Sequence, residues 1–152
     1  MITDFLRIAF LGGMLAVDRT AGWNLMLSQP LVAACLAGGY NVTAAVVDRA
    51  GQLRALQRAD NAGPHTIEAA QAKAYTSASA KNATLAMMES AQKNPAAANL
   101  VHIPGFLLLG GGVPVKVGND VIGAVGVGGA PAGQLDEQCA VAALDKVKDL
   151  LK

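Results

Sequence analysis

Gly111-Gly112-Val113-Pro114-Val115-Lys116-Val117 and Val121-Ile122-Gly123-Ala124-Val125-Gly126-Val127-Gly128-Gly129 flank the tight turn Gly118-Asn119-Asp120. Apolar residues alternating with glycines across such a turn describe a β-hairpin whose backbone is open to close approach. Two partners fit that opening: a packed helix, for which the last helix of the chain is the nearest choice, or a ligand. The two are not exclusive.

Upstream, Phe106-Leu107-Leu108-Leu109 reads as a further strand after the loop Val101-His102-Ile103-Pro104-Gly105. A second hairpin is predicted earlier. Val42 to Asp48 is a β-rich run, Arg49-Ala50-Gly51 closes it, and Gln52 to Arg58 alternates with period two, as a strand with one wet face does. Ser28-Gln29-Pro30 can start a helix that runs to Ala37 and stops at Gly38-Gly39, with an earlier start near Trp23 as the alternative. Alanine-rich stretches from His65 to about Lys81 and from about Ala83 to Lys93 have high helix propensity. In the last helix, Leu135 to Leu151, the residues Ala140, Ala143, Leu144, Val147, Leu150 and Leu151 form one apolar stripe. Strands joined by tight turns and flanked by helices give an α+β class, with a central antiparallel five-stranded sheet in a single domain over residues 1–152.

The bulk numbers set the partners. With 53% hydrophobic and 15% charged residues, the chain has the composition of a folded core. Twelve basic against eleven acidic residues, without blocks, leave no electrostatic footprint for nucleic acid and no polybasic membrane anchor. A mean hydropathy of +0.37 points to apolar surface covered by self-association, hence a homo-oligomer. Cys35 and Cys139 fall in apolar helices outside any CxxC pattern and read as two reduced core thiols. The apolar run Phe5 to Val17 is interrupted by Arg7, lacks a small-x-small cleavage site and is too short to span a bilayer. It reads as a terminal arm or helix, within residues 1–22, of a cytoplasmic protein.

Several chemistries are excluded by pattern. Gly126-Val127-Gly128 follows a strand and precedes a helix, but the third glycine of a dinucleotide fingerprint falls on Pro131, and no acidic residue ends a following parallel strand. No Walker sequence and no nucleophile elbow is present, so no nucleotide cofactor is expected. Two histidines cannot supply a three-histidine zinc site from one chain.

His65 stands out among what is left. It follows Gly63-Pro64 at the start of a helix, where the positive end of the dipole disfavours an imidazolium. A neutral ring with a free nitrogen is what a metal, including haem iron, requires; the plain alternative is a histidine that caps its helix. Glu68 lies one turn further on the same face, placed to orient the ring or to move a proton, or simply to answer the helix dipole. Lys73 is either a solvated helix lysine or the partner of an anionic group. Tyr75 supplies packing with a polar tip. His102, in its proline-glycine loop, has nothing around it to fix it as a second axial ligand.

The wording of the chain carries more than its spacing. Val46-Val47-Asp48-Arg49-Ala50-Gly51, Gly63-Pro64-His65-Thr66-Ile67-Glu68, Lys73-Ala74-Tyr75-Thr76, Gly111-Gly112-Val113-Pro114, Gly123-Ala124-Val125-Gly126-Val127 and Asp136-Glu137 occur in an order that strongly resembles the GlcG/HbpS-type haem-binding proteins. The resemblance runs from about Leu31 to Val147 and leaves residues 1–22 unassigned. It implies a small α+β domain with a central antiparallel sheet, assembled into dimers or larger rings, and in several members haem binding or degradation. It implies non-covalent haem b, with His65 as iron ligand, and cofactor contacts from Tyr75, Thr76, Gly111 and Gly112. Glu68 and Lys73 become the candidate catalytic groups.

Three functional readings follow. One is a haem-binding protein for storage, sensing or degradation. Another is a cofactor-independent enzyme in which Glu68 or His65 moves a proton on a small organic acid or carbonyl compound while Lys73 holds an anion. The last is a non-catalytic, oligomeric signalling or partner domain.

Overall fold

The glycine-studded segments form the expected hairpin: β3 (Gly112–Val117) and β4 (Asp120–Gly128) pair antiparallel in a computed structural model that describes residues 19–151. Gly118 and Asn119 make the turn, and Gly118 has φ +58°, the conformation a type II′ turn needs at its first central position. β1 (Thr43–Asp48) lies beside β4 and beside β2 (Leu53–Arg58), again antiparallel, so the sheet order is β2-β1-β4-β3. Asp48 closes the β1–β2 turn, its Oδ1 accepting the backbone N–H of Ala50 and of Gln52, both at 3.0 Å.

Among the described residues the sheet has four strands rather than the five expected from the sequence. Phe106–Leu109 is irregular chain without a strand neighbour. Its backbone bonds go to helix side chains instead: the Leu107 N–H donates to Thr76 Oγ1 at 2.8 Å, and the Leu109 carbonyl accepts from Thr84 Oγ1 at 2.6 Å. Apolar composition suited a strand there, but two threonines on neighbouring helices satisfied the polar groups that a strand would have paired.

Four α-helices complete the described residues: α1 (Arg19–Ala37), α2 (Thr66–Ala80), α3 (Thr84–Lys93) and α4 (Gly133–Val147). α1 starts well before the expected Ser28-Gln29-Pro30 and carries Pro30 within it. Proline there removes one helical hydrogen bond, but Trp23, Leu27, Leu31 and Cys35, four residues apart, form a buried stripe that holds the helix across it. α4 ends four residues earlier than expected and tightens into a 3-10 turn, Lys148–Leu150, which turns Leu150 out of the apolar stripe and leaves it 60% exposed. The arm expected at the N-terminus lies outside the described residues up to position 18. No helix among the described residues is long and apolar enough to cross a membrane.

Three layers result. On one face of the sheet, α1 and α4 pack over Ala44, Val46, Val125 and Val127 to form the main core. On the other, α2 lies on Ala45, Val47 and Ala124 through Ala70, Ala74 and Ala78. The approach of α2 is so close that a Cβ on Gly126 would overlap the Ala70 carbonyl oxygen, and one on Gly112 the Lys73 carbonyl oxygen. At these two positions the open backbone of the hairpin is filled by α2, while Gly123 faces Trp23 of α1 and Gly111 faces Asp136 of the last helix.

Two cross-ties fix the layers. Cys35 and Cys139 are not reduced thiols: they form a disulfide, with Cα atoms 5.2 Å apart, that joins α1 to α4. The two positions lie 104 residues apart and meet because both occupy the facing stripes of adjacent helices, which spacing along the chain does not reveal. Lys73 is likewise not a solvated lysine. It is 1% exposed, and its Nζ donates to Asp136 Oδ2 at 2.8 Å and to the Val127 carbonyl at 2.9 Å. Asp136, 2% exposed at the start of α4, also accepts the Ala130 N–H at 2.9 Å. The pair thus clamps α2, the end of β4 and α4 together. Burial raises the Asp136 pKa above its ordinary 3.8, outweighing the hydrogen bond and charge of Lys73 and the backbone donors of Ala130 and Gly129.

Thiol titration of the unfolded protein without reductant is expected to find no free cysteine among Cys35 and Cys139. Adding reductant should lower the unfolding free energy by about 2–5 kcal/mol, read as a fall in the urea midpoint. Lys73→Met leaves a buried carboxyl without its partner and should cost about 3–5 kcal/mol, while the double variant Lys73→Met, Asp136→Leu should recover most of that loss. Between 3.8 and its folded-state pKa, Asp136 keeps in the folded state a proton that the unfolded chain has released. Its contribution therefore favours folding at low pH and is lost as pH rises through the folded-state value. Urea unfolding from about pH 3 to 6 should show the margin of the wild type over Asp136→Asn narrowing as pH increases.

Candidate functional site

α2 has two working faces. The inward one carries alanines and Lys73; the outward one carries Glu68, Gln71, Ala72 and Tyr75, at the three- and four-residue spacings that align side chains on one side of a helix. α2 packs on β1, β4 and β3 and leaves the edge strand β2 largely uncovered, so Leu53 and Leu56 remain 46% and 37% exposed. Between the outward face of α2 and this strand is an open groove of about 560 Å³. Val47 and Leu53 from the hairpin, Gly51 from its turn, and Pro104 and Gly105 from the loop after the 3-10 turn Ala98–His102 complete the lining. Its volume is within the range of small-molecule sites, roughly 300–1,000 Å³. Glu68 is the one charged side chain in that lining.

The sequence-predicted residues separate into two groups. Glu68 and Tyr75 line the groove. His65 stands one turn before Glu68, immediately ahead of the first residue of α2, and is exposed. Its ring lies against Gly63, where an added Cβ would be 2.7 Å from Cε1. It occupies the N-cap position of α2, and its side chain makes no capping hydrogen bond there. The start of α2 is organised by Thr66, whose Oγ1 is bonded to the Gly63 carbonyl at 2.5 Å and to Thr43 Oγ1 at 2.7 Å. This leaves the imidazole free of structural duty at the helix start.

Lys73, Thr76, Gly111 and Gly112 do not reach the groove. Lys73 is held by Asp136 and Val127. Thr76 Oγ1 donates to the Ala72 carbonyl at 2.7 Å and accepts from Leu107. Gly111 and Gly112 are buried at the β3 end, where the Gly112 N–H donates to Thr84 Oγ1 at 2.8 Å. His102 is exposed at the end of the 3-10 turn and is not part of the lining. Among the described residues, no three His, Cys, Asp or Glu side chains are grouped to hold a metal ion. Gln71, Val47, Leu53, Pro104 and Gly105 were not apparent as site residues from sequence. The spacing of Gln71 between Glu68 and Tyr75 was the available signal; Leu53 comes to the groove side through the register shift at Val46/Val47, which alternation does not show.

A smaller cavity of about 440 Å³ lies between α3 and α4, lined by Leu85, Glu137, Gln138 and Val141 among others. Glu137 is engaged there, its Oε2 accepting the N–H of Leu85 at 3.2 Å and of Gly111 at 3.3 Å.

Residues 24–145 match the family model described as "Haem degrading protein HbpS-like". The protein GlcG of Escherichia coli (strain K12) is 37% identical over 112 residues, 68% of this chain and 82% of GlcG. Among solved structures, a double mutant of Streptomyces reticuli HbpS superimposes with a TM-score of 0.76 at 34% identity, covering 86% of each chain. A PduOC:heme complex, at 22% identity and covering 82% of this chain and 91% of its own, has the same fold with a TM-score of 0.72. The four-helix, four-stranded antiparallel α+β architecture and these similarities together establish that the chain belongs to the HbpS-like family.

Proposed function

We propose that the chain binds b-type haem non-covalently along the groove between α2 and the β1–β2 hairpin, with His65 as the iron ligand. The observation that carries this reading is the pairing of an apolar, open groove with an exposed imidazole one helical turn beyond it, on the same helix and unused by any cap. Val47, Leu53 and Tyr75 provide the apolar surface that a flat macrocycle needs. One histidine nitrogen suffices as a proximal ligand, so the absence of a metal cluster among the described residues does not count against the fit. The family description and the haem complex of a structural neighbour support the same ligand class.

Bound haem would supply the redox and oxygen chemistry of its iron. The chain's own part is to hold the macrocycle, to present His65, and to keep Glu68 beside the ligand as a group that holds or moves a proton. Lys73 takes no part in that chemistry because its ammonium is committed to Asp136. A half-open groove suits haem that is taken up and released, as storage or sensing requires, and leaves it accessible for degradation. The exposed Leu56, Val101 and Ile103 are apolar surface that a homo-oligomer would cover. The disulfide fits oxidising surroundings better than the cytoplasm expected from the sequence.

Titration with haemin tests the reading. The wild type should give a shifted, saturable Soret band at one haem per chain. His65→Ala should lose the ligated spectrum, and Glu68→Gln should keep the Soret shift while altering its pH dependence. No Soret shift in the wild type would overturn haem binding; a spectrum unchanged in His65→Ala would overturn the assignment of the ligand.

A further inference from the structure

Tyr75 is unusual among the groove residues in how it is held. Its ring is inserted between two glycines from different parts of the chain. A Cβ added to Gly51, in the β1–β2 turn, would lie 2.8 Å from Cδ2 and 3.0 Å from Cε2 of the ring; one added to Gly105 would lie 3.2 Å from Cε1 and 3.4 Å from Cδ1. Gly51 thus meets one edge of the ring, and Gly105 lies over a face beside the other edge. Phe106 meets it in an edge-to-face arrangement, with centroids 6.3 Å apart and planes at 76°. Packed in this way, Tyr75 still remains 39% exposed. Both glycines also line the groove, so the ring stands where the turn and the loop meet at one end of it.

We infer that Tyr75 is the specificity-determining wall of the groove: its ring, held between Gly51 and Gly105 and still partly exposed, presents to the groove an aromatic surface on which a planar conjugated ligand stacks. This deepens the groove reading proposed above and rests on it. Aromatic pairs gain from offset stacking beyond the area they bury, and a ring immobilised before binding loses little freedom when the ligand arrives. Selection is by shape and π-surface, since the hydroxyl is at the tip and the flanking residues are glycines. A planar macrocycle is therefore favoured over a flexible apolar ligand of the same size, and the preference does not need the iron.

That last property separates the two readings in one experiment. Protoporphyrin IX, the metal-free macrocycle, is titrated by fluorescence against the wild type, Tyr75→Phe and Tyr75→Leu, with haemin titrated in parallel and far-UV circular dichroism used to confirm the fold. Tyr75→Phe keeps the face and should bind protoporphyrin IX within about twofold of the wild type. Tyr75→Leu keeps apolar bulk without the face and should bind about tenfold more weakly. Should the leucine variant fail to fold, Tyr75→Met supplies the same loss of the aromatic face. Equal affinity in the leucine or methionine variant and the wild type would overturn the inference. A wild type that takes haemin but not protoporphyrin IX would also overturn it, and would leave haem binding through His65 standing. A wild type that binds neither would overturn both.

Discussion

The close seating of α2 on the bare backbone of β3 and β4 is the constraint from which the other features follow. Two strand positions without a side chain, Gly112 and Gly126, allow the helix backbone to touch the sheet, and Ala70, Ala74 and Ala78 keep the helix thin enough to use that opening. From the inward face of the helix so seated, Lys73 meets the Asp136 carboxyl and the Val127 carbonyl. A lysine ammonium is costly to bury, and two acceptors within 3 Å offset this cost.

That seating also divides α2 by function. The inward face is fully engaged in packing, in the ion pair and in the Thr76 bond that holds the 106–109 segment. The outward face is left to Glu68, Gln71 and Tyr75 along the groove, with His65 ahead of the first turn. Since α2 covers β1, β4 and β3 but little of β2, the same displacement that completes the core on one side leaves apolar strand surface on the other. Packing and groove surface are therefore separable along this helix: substitutions at 73 or 76 act on the first, and substitutions at 68 or 71 on the second.

Much of this was legible in the chain and some was not, for physical reasons tied to particular residues. Both hairpins could be read because alternation and turn chemistry are local, and His65, Glu68 and Tyr75 could be placed on one helix because their spacing is local too. The fifth strand failed because Phe106–Leu109 has the composition of a strand but its hydrogen bonds go to Thr76 and Thr84, a tertiary choice. Lys73 and Asp136 are 63 residues apart in sequence, and no local pattern announces that a lysine in a helix will turn inward. The disulfide was missed in the same way: each cysteine has the surroundings of a buried thiol, and only the packing of α1 against α4 makes them partners. The resemblance linked Gly111 and Gly112 to the cofactor, whereas in the structure Gly111 is closed in by the Val127 carbonyl, Asp136 and Lys73, and Gly112 by the Lys73 carbonyl and Thr84.

The Cys35–Cys139 bond has a consequence for the integrity of the chain. It closes a covalent ring that contains the whole sheet, α2, α3 and every residue of the groove. A protease that nicks the exposed stretch between α3 and β3 breaks the backbone inside that ring, so the two pieces stay joined through sulfur and the sheet keeps all four strands in register. The protein then runs as one species until a reductant is added and as two fragments afterwards. The groove, whose lining comes from both sides of a nick placed before Pro104, survives the cut as long as the bond does.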